Sequence, residues 1–144
     1  MENGLILKGQ TITFLDDPFF VDRDAAFSFD TNGAVWLEDG RIKDIGVAND
    51  ILAKAIGVPI IDYGRSLISA GFVDCHVHYP QLPIIASYGE QLLEWLERYT
   101  FPCESAFGNQ KYARKIADLF IQECLRNGTT TASVFASVHP QSVD

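Results

Sequence analysis

The sequence predicts a mixed α/β fold, in which a β-rich module precedes the first strand and helix units of a second domain. Short apolar runs separated by turn residues fill about the first 65 positions, and strands alternate with longer helices from Gly71 onward. The 144 residues, 47% of them hydrophobic, are enough to form a buried core. We therefore divide the chain into residues 1–66 and residues 67–144.

The β-rich module is predicted from brief, partly alternating apolar runs. Gly9 and Asn32-Gly33 are expected to break these runs, and Asp39-Gly40 is a strong hairpin signal because both turn positions favour positive φ. Asn49 is predicted to cap a short helix that ends near Ala55. The predicted strands cover residues 5–7, 11–14, 25–29, 34–38, 41–46, 58–62 and 67–68.

The second part is predicted to follow the order strand, helix, helix, strand. Apolar residues recur at helical spacing between Leu92 and Tyr99, and Asn109 and Asn127-Gly128 are the expected N-cap and stop of a longer helix. One such unit leaves open strand edges, so we expect this chain to be the N-terminal portion of a longer protein. The predicted elements are a strand at 72–78, helices at 92–99 and 110–126, and a strand at 129–135.

Composition and charge argue against several classes of partner. Lys and Arg number 11 against 19 Asp and Glu, and the formal net charge of −8 disfavours binding to phosphate backbones. No apolar run approaches the roughly 20 residues that span a bilayer, and the N-terminus lacks the pattern of a signal peptide. The three cysteines form no CxxC pair. We expect reduced thiols, a cytoplasmic location, and neither nucleic acid nor membrane as a partner.

Two histidines on the strand predicted at 72–78 are the candidate metal ligands. Alternate side chains of a strand point to one face, so Asp74, His76 and His78 project together, and the residues between them are apolar. Neutral imidazole is a good ligand for Zn²⁺, and an i, i+2 pair at the end of a strand can reach a single ion. The spacing therefore predicts that His76 and His78 share a metal ion.

Simpler interpretations compete at several positions. An isolated HxH tripeptide is common by chance, and Asp74 is interpreted as a carboxylate that orients backbone or a histidine rather than as a ligand. Trp95 and Phe101 fit a core better than a pocket, and His139 is expected in a solvated loop. Four acidic residues fall on predicted helix or loop and are not assigned as a catalytic base: Glu90, Glu94, Glu97 and Glu104.

Residues 71–78 (GFVDCHVH) resemble the first-strand signature of the amidohydrolase superfamily, in which both histidines bind metal. Ala70 departs from the proline that usually precedes the glycine, which affects turn rigidity more than chemistry. Further motifs resemble the guanine deaminases, a family within that superfamily, and together they cover most of residues 67–140. They are Pro80-Gln81, LLEWL at 92–96, YTFP at 99–102 and NGTTTA at 127–132.

This resemblance implies a fold, an activity and a site. The fold is a small β-sandwich module followed by the start of a (β/α)8 metal-dependent hydrolase barrel, which this chain leaves incomplete. The activity is hydrolytic deamination of guanine to xanthine and ammonia by a water that one Zn²⁺ per chain activates, in a homodimer. The catalytic acid and base and the remaining ligands are expected outside this chain. The implied metal ligands are His76 and His78, and the implied purine-binding residues are His78, Tyr79, Pro80 and Gln81.

Two alternatives stay open at this point. The first is another amidohydrolase that acts on a different amino-substituted heterocycle, such as a cytosine, adenosine-type or triazine substrate, because the HxH pair does not separate these. The second is a non-catalytic β-rich module with a structural histidine pair. The residue types also leave the metal open, since imidazole ligands hold iron or another divalent ion as well as zinc.

Overall fold

The computed structural model of the protein describes residues 4–143. The chain divides into two compact units, Met1–Ala70 and Gly71–Asp144, and each unit has its own cluster of buried hydrophobic side chains. Strands dominate the first unit and helices the second, so the mixed α/β class that the sequence predicts is confirmed. No helix within the described residues is both long enough and apolar enough to cross a membrane.

The first unit is built on a single mixed sheet. Its elements are β1 (Gly4–Phe14), α1 (Arg23–Ala26), β2 (Phe27–Glu38), β3 (Arg41–Val47), α2 (Ala48–Lys54) and β4 (Ile60–Ile68). The strands lie in the order β3-β2-β1-β4, with β1 antiparallel to β2 and parallel to β4, and β2 antiparallel to β3. Residues 4–70 therefore supply one sheet, and the second sheet of a sandwich is not formed within them.

Helix α2 covers one face of this sheet. Ile6 of β1 and Ala34 of β2 are completely buried, and they pack with Ala48 and Ile51 from the helix. Removing an isoleucine side chain of this kind from water stabilises a fold by about 1.5–3 kcal/mol. The seven-residue helix is thus held to the sheet by buried apolar contacts.

The hairpin predicted at Asp39-Gly40 is confirmed, because φ is 50° at Asp39 and 74° at Gly40. By contrast, the prediction that Asn49 caps the following helix is wrong. The helix begins at Ala48, and the residue before it, Val47, belongs to β3 and offers no side-chain hydrogen bond. The strand thus runs directly into the helix, and Asn49 lies in the first turn.

Two predicted breaks in the strands are wrong. β1 continues through Gly9, and β2 continues through Asn32-Gly33. Gly9 pairs with Gly33 across the sheet, and the register shifts between Gly9 and Thr11. A β-carbon on Gly33 would overlap the side chain of Thr11. Glycine is therefore required at position 33 for the close approach of a side chain from the neighbouring strand, not for a turn.

In the second unit, two strands that pair in parallel, β5 (Phe72–His78) and β6 (Thr129–Phe135), are separated along the sequence by the helices. β5 and β6 pair only with each other within residues 71–143, so the barrel implied by the resemblance is not closed in this chain. The elements are β5 (Phe72–His78), a 3₁₀ helix (Tyr79–Ile84), α3 (Leu92–Trp95), a π turn (Leu96–Thr100), α4 (Phe101–Ser105), a 3₁₀ turn (Ala106–Gly108), α5 (Gln110–Arg126), β6 (Thr129–Phe135) and a 3₁₀ turn (Pro140–Ser142).

Helix α5 has the ends that the sequence predicts. The Asn109 side chain accepts a hydrogen bond of 3.1 Å from the backbone N–H of Tyr112, and Gly128 follows the helix with φ of 81°. The buried face of the helix carries Ala113 and Ile116, which pack against Phe107. The prediction of β6 at residues 129–135 is also confirmed. Together these elements fix the position of β5, which carries the histidine pair.

Candidate metal centre

The histidine pair lies at the carboxyl end of β5. In the parallel pairing with β6, His78 is the register partner of Phe135. His76 is exposed and His78 is half-buried, so both rings are accessible in this unit. Side chains at the carboxyl ends of parallel strands are the usual position of functional groups in α/β folds.

The two imidazole rings converge. Their Nε2 atoms lie 3.1 Å apart. Two nitrogen ligands at about 2.0–2.1 Å from one tetrahedral Zn²⁺ are roughly 3.3 Å apart, so the pair fits two positions of such a site without a change of strand geometry. The same separation suits an N–H···N hydrogen bond between two neutral imidazoles, which is the arrangement expected of a structural pair.

The pair accounts for only part of a metal site. Within residues 4–143, no group of three His, Cys, Asp or Glu side chains comes together as a ligand set. Catalytic zinc sites generally take three protein ligands and a water. Within the described residues, the two imidazoles therefore stand as a pair, without a third side chain beside them that could complete a ligand set.

Asp74 has the role that the simpler interpretation gives it. Its Oδ1 accepts a hydrogen bond of 3.0 Å from the backbone N–H of His76, two residues ahead on the same strand. This bond occupies one carboxylate oxygen and links the Asp74 side chain to the backbone that carries the first histidine. Asp74 therefore orients the strand end, and it does not join the two imidazoles as a third donor.

Phe135 of β6 packs against both imidazoles, and sequence reasoning missed it. Its ring centroid lies 4.6 Å from that of His76 and 4.8 Å from that of His78, and the ring is nearly parallel to His78. The sequence contains no local signal for Phe135, because its place beside the histidines depends on the register between β5 and β6. A strand in parallel pairing with an HxH strand must place one residue beside the second histidine, and here that residue is aromatic.

Tyr79 and Pro80 point into the core rather than toward solvent. Tyr79 is 5% exposed, and its hydroxyl donates to the backbone oxygen of Ser142 at 2.6 Å. Burial raises the pKa of the Tyr79 hydroxyl. Pro80 is completely buried, and its carbonyl oxygen accepts from the Cys103 thiol at 3.3 Å. These two side chains therefore anchor the segment after β5 in the core of the second unit.

Gln81, unlike Tyr79 and Pro80, lines an open groove. The groove has a volume of about 500 Å³ and also includes both histidines of the pair. Trp95 lines it as well, with its indole N–H donating to the carbonyl of Ser87 at 2.9 Å, so the expectation that Trp95 fits a core better than a pocket is corrected. The Gln81 amide nitrogen donates to the Glu104 carboxylate at 3.1 Å.

His139 lies in the loop that follows β6. Its backbone N–H donates to the Ser137 hydroxyl at 3.2 Å, and its carbonyl accepts from the Ser142 hydroxyl at 2.6 Å. The buried Ser142 thus closes this loop and also accepts the hydrogen bond from Tyr79 described above. The loop is held to the segment after β5 by Tyr79, and His139 itself contributes to this network through its backbone.

Comparison with known proteins places this arrangement in a family. A family model described as "Amidohydrolase family" matches residues 67–144. The guanine deaminase of Escherichia coli (strain K12) is 41% identical over 143 residues, which is 96% of this chain and 33% of that protein. This match covers both units of the chain.

Solved structures of guanine deaminases also match the chain. The crystal structure of guanine deaminase from Bradyrhizobium japonicum matches with a TM-score of 0.93 and 34% identity, over 98% of this chain and 31% of that one. Guanine deaminase from C. acetobutylicum, solved with guanine bound in its active site, matches with a TM-score of 0.78 and 32% identity, over 97% and 32% of the two chains. The chain thus spans about a third of the length of each relative.

Proposed function

The chain belongs to the amidohydrolase family, and from this we propose that it carries the first metal-binding strand of an enzyme that deaminates guanine hydrolytically. The observation that supports the proposal most directly is the 3.1 Å separation of the His76 and His78 Nε2 atoms at the end of β5. The likeness to guanine deaminases over both units supports the choice of substrate. Guanine and water would give xanthine and ammonia.

The roles of this chain follow from its own residues. His76 and His78 would each contribute Nε2 to a Zn²⁺, which when bound supplies Lewis-acid activation of a water molecule. Asp74 holds the backbone of the first histidine, and Phe135 packs against both rings. The groups that move protons between water, ring nitrogen and leaving amine are proposed to lie outside this chain.

Substrate recognition is proposed for Gln81. A carboxamide presents a donor and an acceptor side by side, which allows it to read the edge of a guanine ring. Gln81 shares its groove with the histidine pair and with the flat indole of Trp95. Bases pack well against aromatic faces, so Trp95 would add an apolar wall to this polar contact.

The remaining features of the proposal rest on the family. We assign residues 1–66 to part of a β-sandwich module and residues 67–144 to the start of a (β/α)8 barrel. The open edges of the sheet formed by β5 and β6 support this, because closure into a barrel removes such edges. A homodimer and a cytoplasmic location complete the proposal.

Metal analysis together with a substrate panel tests the function. The full-length protein should hold about one zinc per chain and release ammonia from guanine, and a variant with both His76→Ala and His78→Ala should lose both properties. His139→Ala is the matched control and should retain them. A preference for cytosine, an adenosine-type or a triazine substrate would contradict guanine as the substrate and support that alternative. A protein without bound metal would be the non-catalytic module.

The isolated 144-residue chain gives a separate test. Two imidazoles fill half of a four-coordinate site, so the chain alone should show no guanine turnover. Steady turnover by the chain, at a rate comparable to that of an intact homologue, would contradict the proposal that further ligands lie outside it.

A further inference from the structure

Gln81 and Glu104 join two elements of the second unit. Gln81 lies in the 3₁₀ helix after β5, and Glu104 lies in α4, 23 residues later in the chain. The Gln81 Nε2 donates to Glu104 Oε1 at 3.1 Å, and both side chains are partly buried. This contact links a proposed substrate-binding residue to an acidic residue that has no role in the proposed chemical step.

A carboxylate fixes which way the amide of a glutamine points. The two ends of the amide have nearly the same shape, but the nitrogen only donates hydrogen bonds and the oxygen only accepts them. An ionised carboxylate accepts only, so Glu104 holds the Nε2 end of Gln81 and turns the Oε1 end away from itself.

Glu104 contacts Gln81 from outside the groove. Gln81 lines the groove that includes the histidine pair, whereas Glu104 is not among the described residues that line it. The side of the amide that remains for a ligand therefore carries the oxygen and one N–H. Without Glu104, the amide could present its nitrogen end to the groove instead.

The position of Glu104 is itself fixed by the neighbouring contact. Cys103, the residue before Glu104, donates its thiol hydrogen to the carbonyl of Pro80, the residue before Gln81, at 3.3 Å. Two adjacent residues of α4 thus hold two adjacent residues of the 3₁₀ helix. Because Pro80 is completely buried, this pair of contacts has little freedom to shift.

We propose that Glu104 is a positioning residue that fixes the Gln81 amide with its carbonyl oxygen toward the groove, and so selects heterocycles that present N–H donors at that edge. Guanine has such donors in its ring N–H and its exocyclic amino group. The inference rests on the proposed function, because it assigns the orientation of the residue proposed there to read the substrate. It makes Glu104 a determinant of binding rather than of the chemical step.

The test compares three substitutions in the full-length protein. Glu104→Gln is isosteric, but it both donates and accepts, so it allows the Gln81 amide to turn. It should raise KM for guanine about 3- to 10-fold while kcat changes less than about 2-fold, which is the range for loss of one hydrogen bond. Glu104→Leu removes the acceptor and should raise KM at least as much. Glu97→Gln, an exposed glutamate of the same helical stretch, is the control and should match wild type.

A double-mutant cycle separates positioning from a general structural role. In a Gln81→Ala background the amide is absent, so Glu104→Gln should have no further effect on KM. Zinc content should stay at about one per chain in every variant. A Glu104→Gln protein with wild-type KM would overturn the inference. So would a Glu104→Gln substitution that raises KM by the same factor in the Gln81→Ala background as in the wild-type background.

Guanine turnover by the wild-type protein distinguishes a failure of the proposed function from a failure of the role proposed for Glu104. Wild type that does not turn over guanine contradicts the proposed function, and the present inference with it. Wild type that turns over guanine, together with a Glu104→Gln variant of unchanged KM, contradicts the role of Glu104 alone. A fall in kcat at unchanged KM also contradicts it, because positioning through Gln81 acts on binding.

Discussion

The phenyl ring of Phe135 stacks on the imidazole of His78, with ring centroids 4.8 Å apart and the planes 14° from parallel. The same phenyl ring lies 4.6 Å from the His76 imidazole. One side chain of β6 therefore limits how either histidine of β5 can rotate. Groups that fix the orientation of metal ligands commonly affect metal affinity, typically by about 10- to 100-fold where they act through hydrogen bonds.

Phe135→Ala should weaken zinc binding by about 10-fold, because both imidazoles gain freedom to rotate away from a shared ion. A zinc competition titration with a chromophoric chelator measures the change. Phe72→Ala, which removes a more exposed ring from the other end of the same sheet, is the control and should leave zinc affinity unchanged. Equal zinc affinity in Phe135→Ala and wild type would show that the stacking has no role in holding the ligands.

Gln81→Ala should raise KM for guanine more than KM for a heterocycle that lacks the matching edge, because a lost hydrogen bond affects only the substrate that makes it. Steady-state kinetics on both substrates give the comparison. The same loss on every substrate would indicate that Gln81 supports the local fold, through its contact with Glu104, rather than substrate choice.

Gly33→Ala should destabilise the first unit by about 1–3 kcal/mol, since the new β-carbon would overlap the Thr11 side chain in the middle of the sheet. Urea unfolding followed by circular dichroism measures the free energy. Gly46→Ala is matched in chemistry, and a β-carbon there meets no atom within 4 Å, so its effect should stay within about 0.5 kcal/mol. Equal effects of the two substitutions would contradict the steric account.

Asn109→Ala should lower the stability of the second unit by about 1 kcal/mol, because it removes the acceptor for the Tyr112 N–H at the start of α5. Asn109→Asp keeps that acceptor and places a negative charge at the helix N-terminus, so it should be close to wild type or slightly more stable. Thermal unfolding of both variants is the measurement. A similar loss in both would mean that the cap does not stabilise α5.

Alkaline pH should destabilise the second unit through Cys103. Burial raises the pKa of this thiol above its ordinary value of 9.0, so the folded state favours the neutral form. The stability that this contributes is fully present below about pH 9 and is lost as the pH rises through the raised pKa. The Cys103→Ser protein should therefore lose less stability than wild type between about pH 7.5 and pH 10.5 in urea unfolding. An equal loss of stability in the Cys103→Ser protein and in wild type would contradict the role assigned to Cys103.

Local chemistry made several of these elements predictable from sequence. Positive φ at Asp39-Gly40 and the side-chain cap at Asn109 depend on residues a few positions apart, and both are present in the structure. The convergence of His76 and His78 follows from strand alternation alone. The hydrogen bond from the Gln81 amide to Glu104 joins residues 23 positions apart, so no local sequence pattern predicts it.

The wrong prediction at Gly33 and the omission of Phe135 both arise because these residues have roles that depend on strand pairing. Gly33 was expected to end a strand because glycine is common in turns, and its true role depends on the Thr11 side chain of a partner strand. Phe135 was overlooked because its meaning depends on a register between β5 and β6, which are separated by all the helices of the second unit. Features set by strand pairing are the ones that a single sequence does not reveal.

The placement of β1 inside its sheet sets the order in which the first unit can fold during translation. β1 is flanked by β2 on one side and by β4 on the other. A nascent chain can pair β1 with β2, and β2 with β3, as soon as these strands leave the ribosome, but one edge of β1 stays unpaired until β4, which ends at Ile68, follows. At about 5–20 residues per second this interval lasts a few seconds, during which that edge is open to mispairing or chaperone capture.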